Sequence, residues 1–375
     1  MCDLRPAGTL AVMAWFRRVK SDSPGVDIPD TAAEPLMTAE GHPDTVLDFW
    51  SWWERTGATE VSQALDEHDA LRVVSLLSEE LRRVHPDLRW ELAPGVAGSA
   101  RTLVVTPNGD PRLRPVARRW RRAAPPADEL WCFSDTHLPA ADLTERRVEL
   151  AGESFDVSQA RVAASIDGDQ VDVQIYHPGL DGLDRRSRRE LCALVIDSVI
   201  GEAAVDTWIR YIDASSHVDG TMDLPAFRGL MDRLARNYPL TGSRRVWWVR
   251  RGIDLDGEFF VRRQQPMRSG ARPDFDTHVR LVVPYPSDPD RFGFHDLDTS
   301  RRLTALEQRL EEALGADGQL VATETRPGRR VMHCYADSGT DASRRVCPVA
   351  WAWPDGSVTC DETFDPAWEA VSHLG

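Results

Sequence analysis

Residues 275–314 read FDTHVRLVVPYPSDPDRFGFHDLDTSRRLTALEQRLEEAL, and two hydrophobic periods meet within them. Thr277, Val279, Leu281 and Val283 alternate with His278, Arg280 and Val282, the two-residue period of a strand with one strongly buried face. Pro284 and Pro286 end that strand, because neither can donate to a ladder. Further on, Leu303, Leu306, Leu310 and Leu314 recur at helical spacing, with Asp298 or Thr299 as the expected N-cap and Gly315 as the stop. Glu307, Arg309, Glu311 and Glu312 fall away from the leucine stripe, so one helix face packs on a sheet and the other meets water. Burying the four leucines contributes ~6 to 12 kcal/mol before chain entropy is subtracted.

Outward from this unit the pattern is mixed. Downstream, 319–325 and 331–336 read as strands about a Pro327-Gly328 turn, 346–353 and 358–360 as strands about Asp355-Gly356, and 366–373 as a short helix. Upstream, 246–250 and 258–262 read as a hairpin. Helices are expected from Asp44, through Val61–Val84, over 112–124 and over 185–199, with strands between them and a final strand over 206–212. The fold class is therefore α+β in two domains, each a mainly antiparallel sheet packed with helices. The expected division is a flexible leader over 1–42, an N-terminal domain over 43–225, a connecting helix and linker over 226–241 and a C-terminal domain over 242–375.

Composition narrows the function classes. A net charge of −15 argues against a general nucleic-acid or anionic-membrane surface, and no segment approaches the ~18 uninterrupted apolar residues of a membrane span. Six cysteines, at 2, 132, 192, 334, 347 and 360, lack any short-spaced pair, as expected of reduced thiols in a cytoplasmic protein. Lys20 is the one lysine among 45 basic residues. The folded body thus lacks the lysine that a P-loop, a protein kinase or a Schiff-base enzyme requires.

Each cluster of chemistry-bearing residues also has a plain structural explanation. Arg114, Arg118, Arg121 and Arg122 line one side of the 112–124 helix; they read as an anion site or as a solvated arginine face. Glu202 and Asp206 are four apart, as an acid–base pair would be, but Gly201 is expected to break the helix that would align them. Cys334, Cys347 and Cys360 with His333 could bind zinc, yet strand neighbours face opposite ways, which favours small buried thiols. Asp288, Asp290, His295, Asp296 and Asp298 crowd one loop, where turn and cap chemistry accounts for them without a metal. No nucleophile-elbow, zinc or dinucleotide signature is present, so catalytic residues are not assigned and no cofactor or metal is expected. Among thirteen tryptophans, the pairs Trp247-Trp248 and Trp351-Trp353 are candidates for a partner surface, where aromatics are enriched.

The runs 275–314, ETRPGRRVMHCYAD at 324–337 and FDPAWEAVSHL at 364–374 resemble the bacterial domain-of-unknown-function family 695. The positions carrying the likeness are Pro284, Pro286, Glu307, Leu310, Gly328, Arg329, Tyr335, Asp365, Trp368 and Glu369. That family is in turn distantly similar to the regulator of ribonuclease E activity B family, and the resemblance implies a ferredoxin-like module that works by binding a protein. The expected function is a cytoplasmic, non-catalytic protein-binding or regulatory module with an as yet unidentified protein partner. The alternative is a hydrolase with a dispersed carboxylate/histidine site.

Overall fold

The computed structural model describes residues 43–240, 245–255 and 257–374. Expectations for the leader over 1–42 lie outside those residues. The chain divides into two compact units at His137/Leu138. Over 226–241, expected as a connecting helix and linker, a helix is present, and Leu224, Phe227, Met231 and Leu234 bury one face of it within the second unit.

In the first unit, α1 (Pro43–Trp52), a π-turn at Trp53–Gly57, α2 (Ala58–Asp66) and α3 (Ala70–Val84) lead into β1 (Arg89–Pro94) and β2 (Arg101–Thr106). Helix α4 (Arg114–Arg122) then crosses to β3 (Trp131–Ser134), which pairs parallel with β2 while β1 pairs antiparallel. The core is aromatic. Trp50, Trp53, Trp120, Trp131, Phe49 and Phe133 bury together, with Trp50 and Trp120 rings 4.7 Å apart. Trp50 Nε1 donates to Trp120 O at 2.8 Å and Trp131 Nε1 to Ser62 Oγ at 3.1 Å, so these buried indoles keep their hydrogen bonds.

The second unit opens with the hairpin β4 (Arg147–Leu150) and β5 (Glu153–Asp156), then β6 (Arg161–Asp167) and β7 (Gln170–Tyr176), helices α5 (Arg185–Ile200) and α6 (Glu202–Trp208), strand β8 (Ile209–Ala214) and helix α7 (Leu224–Asn237). Strands β6, β7 and β8 form a three-stranded sheet in that order. The strand expected over 206–212 begins three residues later, because Gly201 (φ 80) ends α5 and at once opens α6. Glu202 and Asp206 therefore lie one turn apart on the same helix, contrary to the sequence expectation. Both interact with neighbouring groups, and Glu202 is buried.

The remaining elements are β9 (Val246–Asp254), β10 (Gly257–Gln265), β11 (Thr277–Pro284), α8 (Leu297–Leu314), β12 (Gly318–Arg326), β13 (Arg329–Ala336), α9 (Ala342–Trp351) and β14 (Thr359–Phe364). The sheet order is β14-β11-β13-β12-β10-β9, and every neighbouring pair is antiparallel. Strand β11 matches the expected alternation: Val279, Leu281 and Val283 are fully buried against Leu303, Leu306, Leu310 and Leu314 of α8. The cap of α8 is Asp296, whose carboxylate accepts from Thr299 N at 2.7 Å, two residues before Asp298 and three before Thr299, the two expected caps. Residues 346–351 of the strand expected over 346–353 instead belong to α9, where Ala342, Val346 and Ala350 recur at helical spacing on the α8 side of the sheet.

This helix also corrects the thiol expectation. Cys347 on α9 and Cys360 on β14 are joined by a disulfide with Cα atoms 5.9 Å apart. Cys132, Cys192 and Cys334 are buried free thiols; burial pushes the Cys192 thiol up to about 12 and the Cys334 thiol up as well.

Candidate binding site

One side of the six-stranded sheet carries α8 and α9. On the other, Trp368, Val371 and Leu374 cover Val261, Val321, Ala322 and Tyr335. The closure is tied by Asp365, which accepts from Tyr335 Oη at 2.6 Å, from Glu369 N at 2.9 Å and from Ala370 N at 3.0 Å. Trp368 stacks on Tyr335 at 4.3 Å and donates to Phe275 O at 2.8 Å. Tyr335, Asp365 and Trp368 therefore act together as a clasp. Glu307, on the opposite side, is buried and receives the guanidinium of Arg262 and that of Arg330, the latter at 3.0 Å. Glu307, Tyr335, Asp365 and Trp368 thus do architectural work.

The rim at β9 is different. Trp248 and Trp247 are adjacent, so they face opposite sides of the strand, and each is half-buried under cations. Arg263 lies 4.9 Å and Arg250 5.7 Å from the Trp248 ring centroid; Arg250 and Arg326 lie 5.9 and 4.8 Å from Phe259. Register explains this ladder, since Trp248 pairs with Arg263 and Gly252 with Phe259. A Cβ on Gly252 would come within 2.3 Å of the Phe259 ring, which lies across the glycine. On the other side Arg262 sits 4.5 Å over Trp247. Such stacks contribute roughly 0.5–1 kcal/mol each where exposed and hold the arginines extended. Val249, Arg250, Arg251 and Ile253 are exposed along the same strand. Among the described residues β9 has no strand partner on its outer side.

The second tryptophan pair divides. Trp351 is exposed, whereas Trp353 is buried in the α8–α9 core and donates to Pro284 O at 2.7 Å, which removes it from any partner surface. The arginines of α4 divide too: Arg114 is buried, Arg118 pairs with Asp135 at 3.1 Å, Arg121 is half-buried and Arg122 exposed. The α4 face read as one cationic surface turns inward at its N-terminal end.

Sequence spacing did not reveal a third grouping. His278 on β11, His333 on β13 and Glu324 on β12 meet across three strands, with His278 Nε2 3.1 Å from His333 Nδ1 and His333 Nε2 3.0 Å from Glu324 Oε1. Exposed His373 reaches the same Glu324 oxygen at 3.5 Å. Burial first, and the neighbouring His333 second, hold the His278 imidazole down to about 4. The hydrogen bond from His333 holds Glu324 below the ordinary carboxylate range. A polar residue at alternate positions of otherwise buried strands was the available signal. Among the described residues, no group of three or more His, Cys, Asp and Glu side chains is arranged to hold a metal ion. No described helix is long and apolar enough to cross a membrane. Comparison of the chain with protein-family models, curated proteins and solved structures finds no match.

Proposed function

We propose that this protein is a non-catalytic protein-binding module, and that it takes an extended, acidic segment of its partner as an added strand on β9. The observation that carries the proposal is the nine-residue rim strand itself, with exposed Val249 and Ile253, exposed Arg250 and Arg251, and Trp248 layered between arginines. A rim strand offers a row of backbone donors and acceptors, and aromatic and arginine side chains are the groups that anchor protein interfaces. Exposed arginines on a chain of net charge −15 favour an acidic partner segment.

The ferredoxin-like reading of the C-terminal domain belongs to the same proposal. Its support is the succession β11-α8-β12-β13-α9-β14 with strand order β14-β11-β13-β12, to which the β9–β10 hairpin is added. Likeness to family 695 and to the ribonuclease E regulator family is likewise an inference from the motif residues. The two-domain arrangement is part of the same proposal, supported by chain length and by the two compact units. A cytoplasmic location carries a chemical condition: Cys347 and Cys360 would there be held as thiols by the reducing pool.

The test is hydrogen exchange on the full chain, free and with partner captured on it, beside the double variant Arg250→Glu/Arg251→Glu. New protection of β9 amides, together with at least tenfold weaker capture by the variant, is the expected result. Protection elsewhere, with undiminished capture, would sink the proposal. A second reading, a hydrolase, is favoured only by the His278–His333–Glu324 chain. Turnover that disappears in Glu324→Gln would establish it.

A further inference from the structure

A cleft in the second unit lies where β10 ends and β12 begins, beneath the cis Gln265–Pro266 peptide and beside the turn Ser269–Ala271. It is a shallow cleft: most of its volume of about 430 Å³ is open to solvent. Arg245, Gln264, Gln265, Arg272, Gln319 and Trp368 are the polar and aromatic groups of its wall. The cation at its centre is Arg272. Its Nε donates to Gln319 Oε1 at 3.1 Å, and among the described residues no carboxylate is bonded to it; Asp274 acts on its charge only through space. Arg272 is half-buried and lies 5.9 Å from the Phe275 ring centroid; desolvation first, and the neighbouring Arg245, lower its pKa from the ordinary arginine value against the pull of Asp274.

The orientation of that guanidinium is built in. Arginine can only donate, so Gln319 must present its oxygen to Arg272 and its amide group to Gln264 Oε1; the Gln264 amide in turn donates to Leu320 O at 2.7 Å. Gln264 and Gln319 are both buried. The chain of amides leaves Nη1 and Nη2 of Arg272 without a protein acceptor among the described residues. Arg245 adds a second guanidinium, anchored through Nη1 on both oxygens of Glu311 at 2.6 Å. Gln265 is held by Asp169 Oδ1 at 2.9 Å, and Trp368 is fixed between Tyr335 and Phe275 O. A fork of unsatisfied donors beside a rigid indole and a proline matches a carboxylate carrying a small apolar body.

We infer that this cleft is a binding site for a small organic monocarboxylate, whose carboxylate takes the Nη groups of Arg272 while its apolar part lies against Trp368 and Pro266. The site uses none of the outer surface of β9, so it stands or falls apart from the partner proposal.

Titration of the full chain with butyrate and benzoate, against the isosteric butyramide and benzamide, tests it by calorimetry and by side-chain NMR of the Gln and Trp NH groups. Expected are saturable binding of at least one carboxylate, at least tenfold tighter than its amide, shifts at Trp368, Gln264 and Gln319, and loss of at least tenfold in affinity in Arg272→Gln. The shifts are read in the unaltered protein, so they decide the matter even where the variant fails to fold. Absence of binding by both carboxylates, equal binding of acid and amide, or shifts confined to other residues would overturn the inference.

Discussion

His278 and His333 stack 5.3 Å apart on neighbouring strands, and their hydrogen bond has a defined direction. Glu324 can only accept, so His333 Nε2 carries a proton; with a single proton on that ring, His333 Nδ1 accepts and His278 donates from its own Nε2. A second proton on His278 would place a charge in a buried site beside another imidazole. In the folded chain its pKa falls from 6.5 to about 4.

The pH dependence follows from that depression. Between pH 6.5 and about 4 the unfolded chain binds this proton and the folded chain does not, so stability is complete above 6.5 and is lost as pH falls. Glu324, depressed below its ordinary 4.5, acts in the same direction at lower pH still. Denaturant midpoints measured from pH 7 to pH 4 should fall less steeply for His278→Gln than for the native sequence. Equal slopes would refute the assignment.

Glu307 tests the energetics on the α8 side of the sheet. Replacing it with Ala leaves the half-buried Arg330 guanidinium without the carboxylate at 3.0 Å and removes the partner of Arg262. A loss of about 3–5 kcal/mol in unfolding free energy is expected, larger than an exposed ion pair would give. A loss below about 1 kcal/mol would mean that water replaces the carboxylate.

The tryptophans of α9 and the loop after it separate surface from core. Trp353→Ala should cost about 3–5 kcal/mol, and Trp351→Ala should change stability by no more than about 0.5 kcal/mol. Chemical denaturation of the two variants side by side is sufficient. Similar losses would contradict their exposures of 5% for Trp353 and 63% for Trp351.

Gly318 is demanded by packing. A Cβ there would stand 2.5 Å from Leu314 Cδ2 and 2.9 Å from the carbonyl oxygen of Tyr335, and the latter is backbone of the adjacent strand. Gly318→Ala is expected to destabilise by about 1–3 kcal/mol, read from its thermal transition. An unchanged transition would show that β12 and β13 can slide apart freely.

The disulfide closes a loop with a sequence separation of 13. Alkylation of the denatured, unreduced protein followed by mass measurement should find Cys347 and Cys360 unmodified. Reduction should lower stability by about 3 kcal/mol, the scale for a loop of that length. Full alkylation without reductant would remove the bond from the account.

The leucine stripe of α8 and the alternation of β11 were legible because each is a local period answering to one buried face. The cap was missed by two or three residues because Asp296, Asp298 and Thr299 are all competent caps and only the entry angle of the chain chooses among them. Residues 346–353 misled because Pro348 and the apolar run Val346–Trp353 imitate a bounded strand, whereas Ala342, Val346 and Ala350 pack as a helix. The ladder of Arg263, Trp248, Arg250, Phe259 and Arg326 depends on cross-strand register, and so does the meeting of His278, His333 and Glu324. Local sequence does not carry register. It did carry the tryptophan doublet at 247–248, the part of the candidate site that could be found by reading alone.

Residues 365–374 on one side and helices α8 and α9 on the other cover the middle strands of the six-stranded sheet and leave its edge strands, β9 and β14, largely exposed. What is left outside is a line rather than a plane. Recognition along a line reads every second residue of its visitor, so the partner's address would be a short alternating word, portable between unrelated proteins and erased by a one-residue frameshift.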